Sequence, residues 1–128
     1  MSATISRGLD RPHEWLMAVI GDEDTVTGFL LAGIGDASGG AHNFLVVRRG
    51  STSDEDIADA FRRFTAARAD VGIVLITQSA ANRIRHLVSE YRQAMPAVLE
   101  IPSKDEPYDA AQDSTLQRVR ALLGIRER

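Results

Sequence analysis

Cysteine is absent from this chain of 128 residues. Disulfide scaffolds, cysteine-bound zinc, iron–sulfur clusters and thiol catalysis are excluded with it. Lysine is nearly absent too. Lys104 is the only one, every other cation is arginine, and the arginines are scattered along the chain rather than gathered into an anion site. There is no excess of positive charge, since the formal net charge is −3. That leaves no electrostatic case for binding DNA, RNA or anionic lipid. Long apolar runs are also missing. The longest, Gly28 to Gly35 (GFLLAGIG), falls far short of the roughly 20 residues that span a bilayer. Residues 1–15 contain no apolar core of a secretory signal. The expectation is an intracellular, water-soluble protein without direct membrane insertion.

What is present reads as one globular domain. The apolar fraction is 44% and the charged fraction 26%, ordinary for a folded soluble chain. A chain of this length buries roughly two-thirds of its unfolded surface, enough for a core without staples. Four short apolar runs stand out: Met17–Ile20, Phe44–Val47, Ile73–Ile76 and Ala97–Ile101. The first three show no polar alternation, the pattern of strands covered on both faces. Between and after the runs lie stripes at helical spacing. They are Val26/Phe29/Leu30/Gly33, Ile57/Phe61/Phe64, Ile84/Leu87/Val88/Tyr91 and Leu116/Val119/Leu123. Alternating strands and helices predict an α/β fold. Its centre is a four-stranded parallel sheet with helices on both faces, and one more helix follows the last strand.

Local chemistry supports the boundaries. Ser53-Asp54-Glu55-Asp56 has the form of a capping box opening the second helix. Gly33 and Gly35 stand where the first helix stops, and Gly39-Gly40 in the loop beyond. Pro96 opens the fourth strand, and Pro107 with Asp109 precedes the last helix. The organisation expected is a loose arm over residues 1–15, the α/β domain over 16–108, and a C-terminal helical element over 109–128.

In an open parallel sheet, ligands bind beyond the carboxyl ends of the strands. The first strand ends in Asp22-Glu23-Asp24. Such carboxylates hold Mg²⁺ in phospho-receiver domains, or they cap the following helix and meet its positive end. A receiver also needs an aspartate after the third strand, where this chain has Ile76-Thr77-Gln78, and it usually carries a fifth strand. Capping is the better reading, with Asp24 as the first candidate and Asp22 as the second. No glycine-rich phosphate turn follows the first strand, and an acidic turn there repels a pyrophosphate. His13, His42 and His86 have no metal-ligand spacing, and no GxSxG elbow is present. No catalytic residue, cofactor site or metal site is therefore expected. The remaining feature is Ile101–Asp109, a charged turn between Pro102 and Pro107 that aims the last helix either along the sheet or outward.

Longer stretches then become recognisable. Ala18–Gly35, Asn43–Val47 and Gly72–Ile76 resemble the F-subunit family of eukaryotic vacuolar-type proton-pumping ATPases. So do Ile84-Arg85-His86, Pro96–Lys104 and Pro107-Tyr108-Asp109. The resemblance covers about residues 16–123. It implies a small Rossmann-like domain in the central rotor stalk of the soluble V1 sector. There the family member binds the long coiled-coil D subunit. ATP is hydrolysed elsewhere, on the A/B hexamer, and rotation drives proton transport by the membrane sector. It also implies a peripheral place on the cytoplasmic side of vacuolar or other acidic-organelle membranes, and no catalytic residues. The longer arm, the loop Ala37–Ala41 and the arginine-for-lysine usage depart from the family pattern. The partner-facing residues expected are Ile101, Pro102, Ser103, Tyr108, Leu116, Val119 and Leu123.

Two other classes compete with a stalk component. One is a stand-alone receiver-like signalling domain, the other a small nucleotide-binding enzyme. Acetyl-phosphate labelling with Mg²⁺ separates the first. For the second, the acidic turn after the first strand means the isolated chain should neither hydrolyse nor tightly bind ATP. Isothermal titration should show no saturable heat, and saturable binding at micromolar concentration contradicts this.

Overall fold

The computed structural model describes residues 15–35, 42–104 and 107–124. Within them the strands are β1 (Leu16–Gly21), β2 (Phe44–Val46), β3 (Val71–Thr77) and β4 (Ala97–Ile101). The helices are α1 (Glu23–Leu31), α2 (Asp54–Arg62), α3 (Gln78–Arg83), α4 (Arg85–Glu90) and α5 (Ser114–Leu123). All strand pairs are parallel, and the sheet order is β2-β1-β3-β4. This is the α/β architecture expected from the alternating runs. The outer part of the expected arm (1–14), Gly39-Gly40, the loop Ala37–Ala41, and the Asp105-Glu106 pair lie outside the described residues.

The strand runs lack polar alternation because both faces of the sheet are covered. One face carries Ala18, Ile20, Val74, Ile76 and Val98 against α2, α3 and α4, with Ile57, Phe61, Phe64, Ile84 and Val88 between. The other face carries Val19 and Leu75 against α1, through Val26, Phe29 and Leu30. Ala18, Val19 and Ile20 have no exposed surface at all. Each fully buried Ile, Phe or Val side chain contributes about 1.5–3 kcal/mol relative to exposure.

Helix boundaries follow local hydrogen bonding. At α2 the expected capping box is present. Ser53 Oγ accepts from the Asp56 amide, and the Asp56 carboxylate accepts from the Ser53 amide, both at 3.0 Å. The α2 stripe runs on through Phe64 in a wider π-type turn, Arg63–Ala67. At the end of α1, Gly33 adopts φ 89°, which only glycine tolerates cheaply. That lets the Gly33 amide reach Leu30 O and the Ile34 amide reach Phe29 O.

The stripe Ile84/Leu87/Val88/Tyr91 falls on α4 and the residues at its two ends, and a further short helix, α3, precedes it across Ile84, which leaves helical geometry (φ −127°, ψ 35°). Two expectations are corrected. The last helix starts at Ser114, five residues after Asp109, which instead caps a 3₁₀ turn over Ala110–Gln112. The cap of α1 is Asp22 and not Asp24. Asp22 is the last extended residue before the helix, so its carboxylate reaches back to the Thr25 amide (3.0 Å) and hydroxyl (2.6 Å). Asp24 sits inside the first turn, points outward and pairs with Lys104.

The Asp22 carboxyl is held below its ordinary value of 3.8. Partial burial works upward, but the hydrogen bonds from Thr25 outweigh it, with help from Lys104. A lowered carboxyl stabilises the fold above its ordinary value, and that contribution disappears as pH falls through the folded value. Asp22→Ala should therefore cost about 0.5–2 kcal/mol at neutral pH, with the deficit shrinking in acid. Asp24→Ala, which breaks only an exposed pair, should melt close to the parent. Thermal melts at pH 7 and pH 3 check this, and equal melting of Asp22→Ala and the parent at pH 7 refutes the cap.

Candidate functional site

The strand order places a switch point at the carboxyl ends of β1 and β3, where the chain leaves in opposite directions. A crevice of about 270 Å³ opens there, among Asp22, Arg49, Thr77, Ser79, Arg83 and Lys104. Its side chains are committed to the protein itself. Asp22 caps α1, Lys104 pairs with Asp24, and Arg83 donates to Asp54 (2.6 Å) and to Thr52 O (2.7 Å). The position where a receiver carries its phospho-accepting aspartate holds Thr77 and Gln78. The Thr77 hydroxyl caps α3. The buried Gln78 amide makes two 2.7 Å hydrogen bonds with the Asp109 main chain, one given and one received. Nothing in this arrangement favours phosphoryl transfer. Among the described residues no His, Asp and Glu group is placed to hold a metal ion. His42 stacks on Phe44 at 4.9 Å between centroids, and His86 lies exposed on α4.

The second candidate is the chain after β4. Of its sequence-predicted residues, Ile101 is half-buried and joins the core on the α1 face of the sheet. Pro102 is exposed, and the Ser103 hydroxyl accepts from the Ser79 amide at 2.8 Å. Tyr108 donates its hydroxyl to one oxygen of Asp113. The other Asp113 oxygen caps α5, accepting from the Thr115 (2.9 Å) and Leu116 (3.3 Å) amides. The helix ends at Gly124, in the left-handed region at φ 74°. Leu116 is half-buried, while Val119 and Leu123 are 43% and 68% exposed. Leu122, which the periodicity did not single out, is 86% exposed. So Ile101 and Ser103 serve the domain, and Val119, Leu122 and Leu123 form an outward apolar edge.

What attaches α5 to the domain is polar. Ser114 is its only buried residue. Glu100 of β4, with a side chain that is 0% exposed, accepts from Arg85 Nη1 at 2.6 Å and Nη2 at 3.2 Å. Its Oε2 also accepts from the Ser114 amide at 3.1 Å. Arg85 donates in addition to the Ser114 hydroxyl, 3.1 Å away. Further along, the Thr115 hydroxyl donates to Val98 O at 2.7 Å, and Arg118 donates to Tyr91 O. Motif reading missed Arg85, Glu100 and Ser114. The only sequence signal was a charged residue inside the apolar run Ala97–Ile101.

A family model described as ATP synthase (F/14-kDa) subunit matches residues 17–119. This chain belongs to that family. The F subunit of the V-type proton ATPase of Homo sapiens is 56% identical over 109 residues, 84% of this chain and 90% of that protein. The Neurospora crassa protein of the same name is 57% identical over 118 residues, 90% of this chain and 94% of its own length. The Saccharomyces cerevisiae one is 52% identical over 111 residues, covering 85% and 94%. The family match takes in the sheet from Met17 onward, the polar anchor at Glu100 and the start of α5.

Both tyrosines of the chain flank this anchor. Burial pushes Tyr91 above its ordinary value of 10, against the nearby Arg118. Tyr108 is pushed up to about 12 by burial, by its hydrogen bond to Asp113 and by the charges of Asp113 and Glu100, against Arg120. A raised phenol stabilises the fold below its ordinary value, and the contribution is lost as pH rises through the folded value. Absorbance titration near 295 nm should therefore find neither phenol half-ionised at pH 10 in the native protein. Repeated on Tyr91→Phe, the titration reads Tyr108 alone, and an ordinary value there refutes the Tyr108–Asp113 contact.

Proposed function

We propose that the chain is a non-catalytic component of the central rotor stalk of a V-type proton ATPase. In this reading it couples ATP hydrolysis by the A/B hexamer to proton transport across membranes of acidic compartments. It binds the coiled-coil D subunit and sits peripherally on the cytoplasmic side. The similarity to named F subunits over most of the chain supports the family part of this reading. Among the described residues no helix is long and apolar enough to cross a membrane, which accords with a peripheral place.

One observation carries the choice of partner. Helix α5 leaves its apolar edge in solvent while its polar first turn holds the sheet. Leu116, Val119 and Leu123 are spaced three and four residues apart, the spacing of a seam that meets another helix. A long helical hairpin is the partner chemistry such a seam fits. The α/β domain over 16–108 is then the folded body, and 109–128 is the element offered to the partner. Residues 1–15 are an arm outside both roles. Ile101, Pro102, Ser103 and Tyr108 belong to this interface only as the base from which the helix departs.

The reading also explains the absence of active-site chemistry in the crevice. A stalk component transmits force through packing, and close-packed interiors of low compressibility do that.

The test is assembly. The purified chain should form a 1:1 complex with the D subunit of a V-type ATPase. The double substitution Val119→Asp and Leu123→Asp should weaken that complex at least about tenfold, or about 1.4 kcal/mol. Its melting temperature should stay that of the parent, since both side chains are already exposed. Full affinity in the double variant moves the interface to another face of the domain.

A further inference from the structure

We infer that Glu100 is a positioning residue. With Arg85 and Ser114 it sets the direction in which α5 leaves the domain, and so the angle at which the apolar seam is offered. The inference rests on the reading of α5 as the docking helix.

Apolar packing does not fix the direction of the helix. Apolar burial is non-directional, so a helix seated on an apolar face slides or rotates with little penalty. Helix α5 buries only Ser114. Its apolar residues are half-buried or exposed. What holds it is a set of hydrogen bonds, which weaken steeply with angle and distance. The set begins on a carboxylate with no exposed surface, flanked on one side by a guanidinium from α4 and on the other by the first amide of α5. Both oxygens are used. Arg85 closes the triangle on the Ser114 hydroxyl.

Two further bonds complete the frame. Thr115 fastens to Val98 O on the strand, and Arg118, one turn on, fastens to Tyr91 O. Anchors at positions 114, 115 and 118 fix the distance, the tilt and the rotation of the helix together. A methionine or leucine at position 100 fills the same space without the cost of burying a charge. Burying an ion pair adds little net stability, and its best-attested use is to select one geometry among several. Glu100 fits that use, because its donors come from two elements that otherwise share few contacts.

The experiment uses the full chain with two introduced cysteines, Ala66→Cys after α2 and Ala121→Cys on α5. Both positions are exposed, and the native chain contains no other thiol. Spin labels on the pair report the distance distribution between body and helix. It should be narrow in the parent and clearly broadened by Glu100→Gln, which keeps the shape and loses the charge. Should that variant not fold, Ser114→Pro decides. Ser114 is the first residue of the helix, where proline is tolerated. Asp113 before it is already extended, as a residue preceding proline must be. The substitution removes the Ser114 amide bond to Glu100 and the hydroxyl contacts with Arg85 and Ser89, and leaves the Arg85–Glu100 pair intact.

Ile57→Val, which loosens the core away from α5, should leave the distribution narrow. Binding to the D subunit should fall roughly tenfold in the broadened variants. A distribution that stays narrow in Ser114→Pro, or that broadens equally in Ile57→Val, overturns the positioning role. Broadening with undiminished binding to the D subunit upholds it, and sinks instead the reading of α5 as the docking helix.

Discussion

A carboxylate buried in a sheet has to be answered by donors, and the answer given to Glu100 organises the last third of this molecule. Taking an ion out of water costs several kcal/mol even after relaxation, and only close, well-oriented partners offset it. Those partners are Arg85 from α4 and Ser114 from α5, 15 residues before and 14 after. The chain beyond β4 must therefore return to the strand it has just left. It is held on the way back by Ser79 to Ser103, by Gln78 to Asp109 and by Tyr108 to Asp113. The two prolines stiffen this segment, but buried side chains decide its path.

The rest of the sheet obeys a simpler rule. β1 and β3 are central, so every neighbour they need is supplied by apolar side chains from helices on the two faces. β4 is an edge strand, and edges invite pairing with other chains. Here the polar first turn of α5 lies against that strand, with Thr115 on its Val98 carbonyl. One of the contacts that aim the helix also occupies a main-chain carbonyl of the edge strand. No buried side-chain nitrogen or oxygen among the described residues is left without a partner.

This division explains what the sequence disclosed. β1, β2 and β3 were legible because a strand buried on both faces is apolar at successive positions, and that pattern is local. The Ser53 box and the Gly33 stop were legible for the same reason, since each is closed within six residues. The α1 cap was not. Asp22, Glu23 and Asp24 are all acidic, and only the end of β1 at Gly21 decides which is extended and which is helical. The short helix α3 ahead of Ile84 left no stripe of large apolar residues, since what it buries is Gln78, Ala80 and Ala81. In β4 the usual pattern is inverted, with Glu100 buried and Leu99 39% exposed. No window around position 100 contains the arginine and serine that make this inversion stable. Likeness to known proteins showed the family where motif chemistry found only absences.

Stability, direction and affinity thus fall to different parts of one small chain. The two apolar layers supply stability, and they do so without reference to α5. The Glu100 anchor supplies direction and contributes little to stability. The seam at Leu116, Val119 and Leu123 is largely left over for a partner. Separation of this kind suits a component that must transmit torque. If the residues that bind the partner also held the core, load on the interface would be load on the fold. In the proposed role, a helix tied to β4 through Ser114 and Thr115 passes force into that strand by the bonds to Glu100 and the Val98 carbonyl. From β4 the force spreads through the ladder to β3 and β1, the best-buried strands of the molecule. In the proposed role the polar anchor is where force passes from partner to body, so its geometry matters more than its energy.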